Sequence, residues 1–590
     1  MSWKDNLSPF YTWKRAFEKP YTTRKPLQDR PGSPRYRGFH KNDLEKCIGC
    51  GTCESICQNE AIDLVPVEGI VTSLHDSGLR PKFDYGRCCW CALCVDICTT
   101  DSLSMSNEYI WIDPDGDAFR FIPGSDPKSW DSRQDGYQRS NGYGLLNPER
   151  ETIQTTESET GIKSFLELIK GYSHEEALKE ATRCVDCGIC VASCPAHMDI
   201  PDYIRAIRDN DLEKALKLLY KTNPLPATCG RICTHKCETV CSVGINGDPI
   251  AIRWLKRFII DQFELAEVKE ILAEDLAANN KKVAIIGAGP SGLSAAYYLI
   301  TMGYRVTIYE AEAAAGGMVR WGVPDYRLPI KQLGKDIDYI LSLGAEIKYN
   351  IKIGHDISFT ELSKNFAAIY LSVGLQQPYK LEIPGEDLPG VISGLSLLAQ
   401  VADGKLPDLG QKVIVIGGGN TAMDAARTAR RLQCEVTLLY RRRREDMPAD
   451  QEEIEDADHE SVQIITQAIP VKIEKSDSGL LKFIWNRARM EDQGIGKRPR
   501  PVPIENGIEI IEANTIITAV GQGPDFSFLP ADIAESIIFK RFKVRTEPSG
   551  QTSYSKIFAG GDIVNNTADA ISAIADGYNA ARGIDKYLQD

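Results

Sequence analysis

The sequence lacks several features that define common classes of protein. It contains no run of about 18 apolar residues, so we expect no transmembrane helix. Its first residues, Met1-Ser-Trp-Lys-Asp-Asn, contain no apolar core of a signal peptide. The formal net charge of −13 argues against nucleic acid as a partner. Together these absences favour a cytoplasmic protein.

Side-chain catalysts are missing as well. The seven His residues form no metal cluster, and no Ser-His-Asp set or carboxylate pair is needed to explain any motif. No Cys-x4-Cys pair follows the first dinucleotide motif, described below, which argues against the thiol relay of a disulfide reductase. We therefore assign no catalytic side chain and expect a bound cofactor to carry the chemistry.

Cysteine, by contrast, is abundant, and the cysteines are regularly spaced along the sequence. All of the 18 cysteines except Cys434 fall in four tight groups. Such spacing in a chain without a secretory signal indicates metal binding in a reducing compartment rather than disulfides. The first two groups share one pattern, displaced by 41 residues: Cys47, Cys50, Cys53 and Cys57, then Cys88, Cys91, Cys94 and Cys98.

This repeat has the spacing of a two-cluster bacterial ferredoxin. Three thiolates of one loop hold three corners of a cluster, and the fourth cysteine of each run reaches the other cluster. We therefore predict one [4Fe–4S] cluster on Cys47, Cys50, Cys53 and Cys98, and another on Cys88, Cys91, Cys94 and Cys57. Zinc is the alternative, although zinc sites rarely need four ligands in each run.

The third and fourth groups follow a predicted helix whose start, Ser173 to Glu176, reads as a capping box. The third group is Cys184, Cys187, Cys190 and Cys194, followed by Pro195. The fourth is Cys229, Cys233, Cys237 and Cys241. Two helical patterns separate these groups, at about 201–209 and 211–221. The composition indicates a helical domain that binds metal.

A dinucleotide-binding motif begins at the apolar run Val283 to Ile286, which predicts a buried parallel strand. The glycines that follow allow a tight turn, a close approach of the backbone to a pyrophosphate, and close helix–strand packing. They are Gly287, Gly289 and Gly292. A second predicted strand ends at Glu310, where an acid is placed to bind a ribose hydroxyl.

The pattern recurs after Val413 to Ile416, as Gly417, Gly419 and Ala422. Two such units predict two dinucleotides, one flavin and one nicotinamide, unless the second copy is a relic of the fold. The next predicted strand ends in the run Arg441 to Arg444. Arginine at this point favours a 2′-phosphate, and hence NADPH, over NADH. A solvated charge run is the alternative.

Residues 35–125 resemble the complex I subunit that carries two tetranuclear clusters, including the approach Pro34-Arg-Tyr-Arg-Gly-Phe-His40. Residues 160–590 resemble the small subunit of glutamate synthase and the large subunit of bifurcating NADPH:ferredoxin transhydrogenase. The matching stretches are Gly171-Tyr-Ser, Arg183-Cys-Val-Asp-Cys, Cys194-Pro-Ala-His197, Cys229-Gly-Arg-Ile-Cys233, Trp321-Gly-Val-Pro-Asp-Tyr-Arg-Leu-Pro329, Tyr440-Arg-Arg442, Met447-Pro-Ala449 and Phe558-Ala-Gly-Gly-Asp562.

The second resemblance implies two further [4Fe–4S] clusters. One would use Cys184, Cys187, Cys190 and Cys241. The other would take three ligands from Cys194, Cys233 and Cys237. The family often supplies its fourth ligand from a carboxylate or amide, but that position here is near Lys256. Cys229 is the obvious substitute, although its family counterpart is not normally a ligand.

The resemblance also implies the dinucleotide contacts. For FAD they are Gly287, Gly289, Pro290, Ser291, Gly292, Glu310, Gly316, Gly317, Arg320, Gly374, Gly561, Asp562 and Ala570. For NADP they are Gly417, Gly419, Asn420, Thr421, Ala422, Arg441 and Arg442.

These observations predict a multidomain α/β chain. Its parts are an N-terminal docking arm (1–40), a ferredoxin-like domain with two [4Fe–4S] clusters (41–125), a linker (126–160), a helical iron–sulfur domain (161–280), a Rossmann-like FAD-binding domain (281–390 and 515–590) and an inserted Rossmann-like NAD(P)H-binding domain (391–514). The alternatives for the arm are a partly ordered tail and a segment that lies on a membrane surface.

The predicted function is an NAD(P)H-dependent iron–sulfur flavoprotein oxidoreductase, fitted to anaerobic metabolism. It would move electrons between NAD(P)H and a partner through FAD and [4Fe–4S] clusters. The expected partners are ferredoxin or other redox subunits, in a hetero-oligomeric complex. Two alternatives stay open: an electron-bifurcating transhydrogenase subunit, and a cluster-bearing adaptor whose nicotinamide site is idle.

Overall fold

The structure is a computed structural model that describes residues 13, 16–19, 32–70, 76–141, 144–155, 164–274, 279–494 and 497–589. The chain divides into two compact units. The first comprises Met1–Glu149, Val185–Ile189 and Ser242–Pro249, and the second comprises Arg150–Cys184, Cys190–Cys241 and Ile250–Asp590. Most of the predicted arm lies outside the described residues. None of the described helices is long and apolar enough to cross a bilayer.

The first unit repeats one local pattern, as the sequence does. Its strands and helices are β1 His40–Asn42, α1 Thr52–Ser55, β2 Ile62–Pro66, β3 Leu79–Asp84, α2 Leu93–Asp96, β4 Leu103–Met105 and β5 Arg120–Phe121, with short 3₁₀ turns at Gly116–Phe119, Arg139–Asn141 and Ser242–Ile245. Antiparallel β2, β3 and β5 form one sheet, and β1 pairs with β4. Each N-terminal cysteine run enters its short helix through a left-handed residue, Gly51 at φ 81° and Ala92 at φ 67°.

The stretch predicted as a linker from residue 126 contributes to the core of this first unit instead. Trp130 and Tyr137 are buried with Phe83 and Met105. The Trp130 indole N–H donates to the His40 carbonyl at 3.2 Å, and the Tyr137 hydroxyl donates to Asp96 at 2.9 Å. Two isolated aromatics in a polar stretch give no periodic signal, so the sequence did not reveal this packing.

The second unit begins with a helical part. Its helices are α3 His174–Thr182, α4 Ile189–Ser193, α5 Ile200–Arg208, α6 Leu212–Thr222, α7 Pro226–Ile232, α8 Lys236–Thr239, α9 Ile252–Asp261 and α10 Leu265–Ile271. The predicted capping box is present, because the Ser173 hydroxyl accepts from the Glu176 N–H and the Glu176 carboxylate accepts from the Ser173 N–H. Gly230 allows α7 to pack closely on α9, since a Cβ there would lie 2.9 Å from the Arg257 Cα.

An α/β part follows, in which the apolar runs of the sequence form buried strands. Its first segment contains β6 Lys282–Ile286, α11 Pro290–Thr301, β7 Arg305–Tyr309, α12 Met318–Trp321, α13 Ile330–Ser342, β8 Glu346–Lys348, α14 Phe359–Asn365, β9 Ala368–Leu371 and β10 Gln377–Pro378. Pro290 at the first turn of α11 suits a position where the backbone needs no N–H donor.

The chain next forms a second α/β part, or layer, with its own parallel sheet, which is inserted into the first. It contains β11 Val391–Ser393, α15 Gly394–Ala402, β12 Lys412–Ile416, α16 Asn420–Arg431, β13 Glu435–Leu439, α17 Gln451–His459, β14 Gln463–Ile465, β15 Ala468–Lys475, β16 Leu481–Glu491, β17 Arg500–Ala513 and β18 Thr515–Thr518, with a 3₁₀ turn at Arg444–Asp446. Its parallel sheet has the order β11-β18-β12-β13-β14, and β15-β16-β17 form a separate antiparallel sheet. The sequence assigned residue 515 onward to the FAD-binding domain, but β18 lies in this inserted sheet.

The chain then returns to the first α/β layer. It adds β19 Gln522–Gly523, α18 Ala531–Ser536, β20 Phe539–Lys540, β21 Lys543–Val544, β22 Ile557–Ala559 and α19 Ala570–Gln589, with a 3₁₀ turn at Gly561–Ile563. Parallel strands in the order β22-β9-β6-β7-β8 form the first sheet. Helix α19 packs tightly on α11, because a Cβ at Gly577 would lie 2.4 Å from the Ser291 carbonyl oxygen.

Candidate functional site

The loop after β6 needs its glycines for two different reasons. Gly287 has a φ of +103°, and a Cβ there would lie 2.5 Å from the Ser372 carbonyl oxygen. A Cβ at Gly292 would lie 2.0 Å from the Gly287 carbonyl oxygen, so this residue permits the packing of helix on strand. Gly289 differs, because its nearest neighbour would be the Gly317 Cα at 3.9 Å. The Gly289 side of the loop is therefore open to a ligand, next to the N-terminus of α11.

Glu310, at the end of β7, holds this loop in place. Its carboxylate accepts from the Ala288 N–H at 2.7 Å and from the Glu312 N–H at 2.9 Å. Burial raises the pKa of Glu310, although these N–H groups oppose the rise. Each carboxylate oxygen keeps a lone pair for a further donor. Contact with a ribose hydroxyl stays a prediction that this geometry permits.

A cavity of about 360 Å³ is lined by both dinucleotide loops. The residues predicted for FAD that line it are Gly287, Gly289, Pro290, Ser291, Glu310, Gly317, Gly374, Gly561, Asp562 and Ala570. From the second loop it is lined by Asn420 and Thr421. The predicted Gly292, Gly316, Arg320, Gly417, Gly419 and Ala422 do not line it. The two predicted binding loops therefore meet at one space, as hydride exchange between two cofactors requires.

Polar groups near this cavity suit a flavin dinucleotide. The Arg320 Nε and Trp321 Nε1 are buried donors without a partner among the described residues, and both belong to α12, whose Met318 and Val319 line the cavity. Burial raises the pKa of Asp562 to about 6, while Lys543 opposes the rise. Neither the Arg320 nor the Trp321 side chain lines the cavity, so the fit to the pyrophosphate oxygens of a dinucleotide is carried by the open Gly289 face and the adjacent N-terminus of α11.

The second loop has the same build with one change. Gly417 has a φ of +151°, and a Cβ there would lie 2.2 Å from the Ala519 carbonyl oxygen. Helix α16 begins just after Gly419, and Ala422 stands where the first loop has its third glycine. The Asn420 side-chain oxygen accepts from the Asp450 N–H at 2.8 Å. The loop presents a helix N-terminus to the cavity through Asn420 and Thr421.

The arginine run after β13 separates into two kinds of residue. Arg443 pairs with Asp446 at 2.9 Å, and Arg444 pairs with Asp458, so these two are neutralised by their own surroundings. Arg442 donates from Nε to the Pro499 carbonyl at 2.8 Å. Within the described residues, Arg441 makes no hydrogen bond or ion pair. Although the Arg441 side chain as a whole is exposed, partial burial of its guanidinium and the nearby cations Arg442 and Arg498 lower its pKa. Among the described residues, Arg441, Arg442 and Arg498 form no ion pair, although Asp446 lies near Arg442, and such a group of cations fits a phosphate.

Four cysteines that the crosswise prediction assigns to one cluster lie together in the first unit, and their ligation stays a prediction. One cavity is lined by Cys47, Cys50, Cys53 and Cys98. Burial raises the pKa of Cys53, and the Cys50, Cys47 and Cys98 thiolates raise it further.

The cysteines of the second predicted set also lie near one another, but Cys53 of the first set lies near them too, so the second ligand set stays a prediction. Burial raises the pKa of Cys94, with contributions from Cys53, Cys88, Cys91 and Cys57. Burial also raises the pKa of Cys50, and Cys187, in the same unit, adds to this effect.

In the second unit, buried thiols of α7, its C-terminus and α8 surround a lysine. Cys229 is fully buried, and Cys233, Cys237 and Cys194 are nearly so. Burial alone would lower the pKa of Lys256, but the Cys233, Cys229, Cys237 and Cys194 thiolates raise it. A buried ammonium therefore lies where the resemblance would place a fourth ligand. Ligation by Cys229 stays a prediction, as do the ligand sets that use Cys184, Cys190 and Cys241.

All 18 cysteines are free of disulfides. No group of three or more His, Cys, Asp or Glu side chains in the described ranges is arranged to hold one metal ion. Four thiolates on one tetrahedral zinc would lie about 3.8 Å apart, given Zn–S bonds of about 2.3 Å. The thiolates of a four-iron cluster bind separate iron atoms instead.

Two residues at these sites escaped the sequence reasoning. Asp336 of α13 is fully buried and accepts from the Ala227 and Thr228 N–H groups at 3.2 and 2.8 Å, which fixes the start of α7. Burial raises the pKa of Asp336 to about 7. His40 lies 3.3 Å from the Cys94 sulfur through its Nε2. The His ends the quoted stretch that precedes the first cysteine run, but no spacing rule connects it to Cys94.

Three family models match the chain. Residues 46–102 match the 4Fe-4S dicluster domain, and residues 161–268 match the 4Fe-4S cluster domain II of dihydropyrimidine dehydrogenase. Residues 281–577, half of the chain, match the pyridine nucleotide-disulphide oxidoreductase model. The chain belongs to the pyridine nucleotide-disulphide oxidoreductase family. The predicted fold class and the predicted cofactors FAD, NADPH and [4Fe–4S] clusters are confirmed.

The curated relatives of this pyridine nucleotide-disulphide oxidoreductase include the glutamate synthase small subunit, the family that residues 160–590 resemble. The NADPH-Fe(3+) oxidoreductase subunit beta of Geobacter sulfurreducens is 36% identical over 68% of this chain and 64% of its own length. The NADP(+)-dependent formate dehydrogenase subunit beta of Moorella thermoacetica is 37% identical over 68% of this chain and 60% of its own. The glutamate synthase [NADPH] small chain of Halomonas elongata is 30% identical over 76% of this chain and 98% of its own.

The chain thus spans less than two thirds of the first two relatives' length. The family name describes the fold and the dinucleotides, since this member lacks the Cys-x4-Cys pair after Gly287.

Proposed function

We propose that the chain is the NADPH-oxidising subunit of a larger redox complex, delivering electrons to a separate partner. When bound, FAD supplies the exchange between two-electron hydride chemistry and single-electron transfer, and the [4Fe–4S] clusters carry single electrons. The proposal is carried by the composition of one cavity. Both dinucleotide loops line it, and so do Ile232 and Thr234, the residues on either side of Cys233.

The protein fixes this arrangement with ion pairs inside the second unit. Lys236, next to Cys237, pairs with Asp569 at 2.6 Å, and Asp569 lines the cavity just before α19. Arg327, which also lines the cavity, pairs with Asp424 of α16 at 2.7 Å. The first pair joins the cysteine loop to the predicted flavin site, and the second joins the first α/β layer to the inserted one. In the proposed arrangement, these contacts keep the nicotinamide donor, the flavin and the cluster predicted at Cys194, Cys233 and Cys237 next to one another.

NADPH is the proposed donor because Arg441, Arg442 and Arg498 lie together and form no ion pair among the described residues. A 2′-phosphate supplies that charge and NADH does not. Two of the three relatives described above are named for NADPH and the third for NADP(+), which supports the same preference.

Delivery to a partner is supported by the additional ferredoxin domain. Inside the first unit, Cys187 adds to the rise in the pKa of Cys50, so these two cysteines lie close together. The three relatives are each named as a subunit or chain. We therefore infer that the chain is the electron-input subunit of a larger complex, with another redox protein as its partner.

Anaerobic titration of the purified full chain tests this proposal. We expect about 16 iron atoms and one FAD per chain if all four clusters form. NADPH should bleach the flavin absorbance and produce the electron paramagnetic resonance (EPR) signals of reduced clusters. Failure of both NADPH and NADH to bleach the flavin would overturn the proposal in favour of an adaptor with an idle nicotinamide site. Reduction of low-potential ferredoxin only with a second acceptor present would instead favour bifurcation.

A further inference from the structure

His40 is held rigidly in the core of the first unit. Its side chain is buried, and its ring stacks on Phe83 with centroids 4.0 Å apart. Its backbone N–H donates to the Tyr85 hydroxyl oxygen at 2.7 Å, and its carbonyl accepts from the Trp130 indole at 3.2 Å. Backbone and ring are both fixed, so the direction of the two ring nitrogens is set by the fold.

Those two nitrogens have different neighbours. Nδ1 lies 2.8 Å from the Tyr85 hydroxyl oxygen, and Nε2 lies 3.3 Å from the Cys94 sulfur. A thiolate that binds iron has no proton to donate, so the bond to Cys94 requires a proton on Nε2. In a neutral imidazole Nδ1 is then an acceptor, and the Tyr85 O–H is the donor placed to fill it. Tyr85 thus selects the ring form that can donate to Cys94.

We propose that His40 donates an N–H···S hydrogen bond to Cys94 and thereby raises the reduction potential of the cluster held by Cys88, Cys91, Cys94 and Cys57. The inference rests on the proposed function, because it requires these thiolates to carry a cluster. Reduction adds one negative charge, part of which resides on the sulfurs. A donor aimed at one sulfur stabilises the reduced form more than the oxidised form, and hydrogen bonds to the sulfurs are among the groups that set cluster potentials.

The surroundings make this bond effective. His40, Tyr85 and Cys94 are all nearly excluded from water. A charge-assisted hydrogen bond is stronger in such a low-dielectric setting than at a surface.

The other cluster of the repeat has different neighbours at its sulfurs. There Cys50 lies 3.2 Å from the Thr52 hydroxyl, and Cys98 lies 3.4 Å from the Ser102 hydroxyl. No imidazole approaches those sulfurs among the described residues. Identical cysteine spacing therefore leads to two clusters with different hydrogen-bond partners.

The test uses the full chain, purified anaerobically, with His40→Leu, His40→Gln and the matched control Thr52→Val. Redox titration followed by EPR spectroscopy gives the midpoint potential of each cluster, and iron analysis shows whether each variant is fully loaded. In His40→Leu we expect the ratio of reduced to oxidised protein at a fixed potential to fall about tenfold for the cluster that contains Cys94. For one electron this corresponds to a midpoint potential lower by about 59 mV. His40→Gln should restore most of the shift, because its amide can donate. Thr52→Val should leave this cluster unchanged.

A second readout does not depend on potential. In protein grown on ¹⁵N-histidine, the reduced cluster should show a nitrogen coupling by electron spin echo spectroscopy, and His40→Leu should abolish it. If His40→Leu fails to hold its cluster, Tyr85→Phe takes its place, with a smaller shift in the same direction expected. If the midpoint potential of this cluster is unchanged in the variant that retains its full iron content, the inference about His40 is overturned while the proposed function stands. Wild-type protein without four-iron signals would instead overturn the proposed function.

Discussion

Cofactor choice is the property that the arginine run should control most directly. Replacing Arg441 and Arg442 with Ala removes two of the three cations that form no ion pair among the described residues, whereas Arg443 and Arg444 already pair with Asp446 and Asp458. A hydrogen bond to a charged group contributes about 1.5–3 kcal/mol. Arg441 is exposed, so the lower end applies to it, and Arg442 is only partly buried.

That energy converts directly into a rate ratio. At about 1.4 kcal/mol for each factor of ten, Arg441→Ala should lower kcat/KM for NADPH about tenfold. The double variant should lower it by about 10 to 100-fold, because neighbouring residues that share one phosphate do not act additively. For NADH we expect a change within about twofold, since no phosphate is lost.

The assay is steady-state reduction of a soluble one-electron acceptor by NADPH and by NADH, with flavin content measured in each variant. Arg443→Ala and Arg444→Ala are the matched controls, and both should leave the NADPH-to-NADH preference unchanged. Equal losses for the two nucleotides in the double variant, at full flavin content, would refute the assignment of this cation group to a 2′-phosphate.

Three further predictions concern packing, pH and iron. Gly577→Ala should lower the melting temperature and flavin content, because its Cβ would lie 2.4 Å from the Ser291 carbonyl oxygen; we expect about 1–3 kcal/mol of destabilisation. Gly334→Ala, inside α13 with nothing within 4 Å, should stabilise the protein by about 0.5–1 kcal/mol, and a similar loss in both variants would contradict the packing argument. Asp336 has a folded-state pKa of about 7, above its unfolded value, so its contribution to stability is present below pH 4 and is lost as pH rises through 7. Denaturation at several pH values should show that Asp336→Asn flattens this slope, and an unchanged slope would sink the prediction. Cys229→Ser should lower the iron content from about 16 to about 12 atoms per chain if Cys229 is the fourth ligand, whereas unchanged iron would exclude it.

Features encoded by spacing were predicted well, because they depend on a few neighbouring residues. The cysteine repeat predicted two similar loops, and in the structure each enters a short helix through a left-handed residue, at Gly51 and Ala92. The glycine pattern anticipated the strand, turn and helix around Gly287 for the same reason. In each case the chemistry and the conformation are specified within about ten residues.

Features that depend on distant residues were not predicted. Trp130 enters the ferredoxin core from a stretch whose composition indicated a linker, and β18 joins the inserted sheet although the domain boundary was placed before it. His40 and Cys94 are 54 positions apart, and Asp336 lies 108 positions from Thr228. Such contacts follow from tertiary packing, and one sequence contains no periodic signal for them.

The cysteine sets also show why ligand type alone does not determine electron flow. Every predicted cluster has thiolate ligands, so differences in potential must come from charge, hydrogen bonds and burial around the sulfurs. Inside the second unit, the Lys256 ammonium is buried beside Cys194, Cys233 and Cys237. A cation there stabilises added negative charge without solvent screening. We therefore expect Lys256→Met to lower the potential of that cluster, measured by the same EPR titration, at unchanged iron content. Because Cys233 lies between Ile232 and Thr234, which line the flavin cavity, a cluster held there at higher potential would draw single electrons away from the nicotinamide site. An unchanged potential in iron-replete Lys256→Met would show that the ammonium is neutralised by the protein rather than by the cluster.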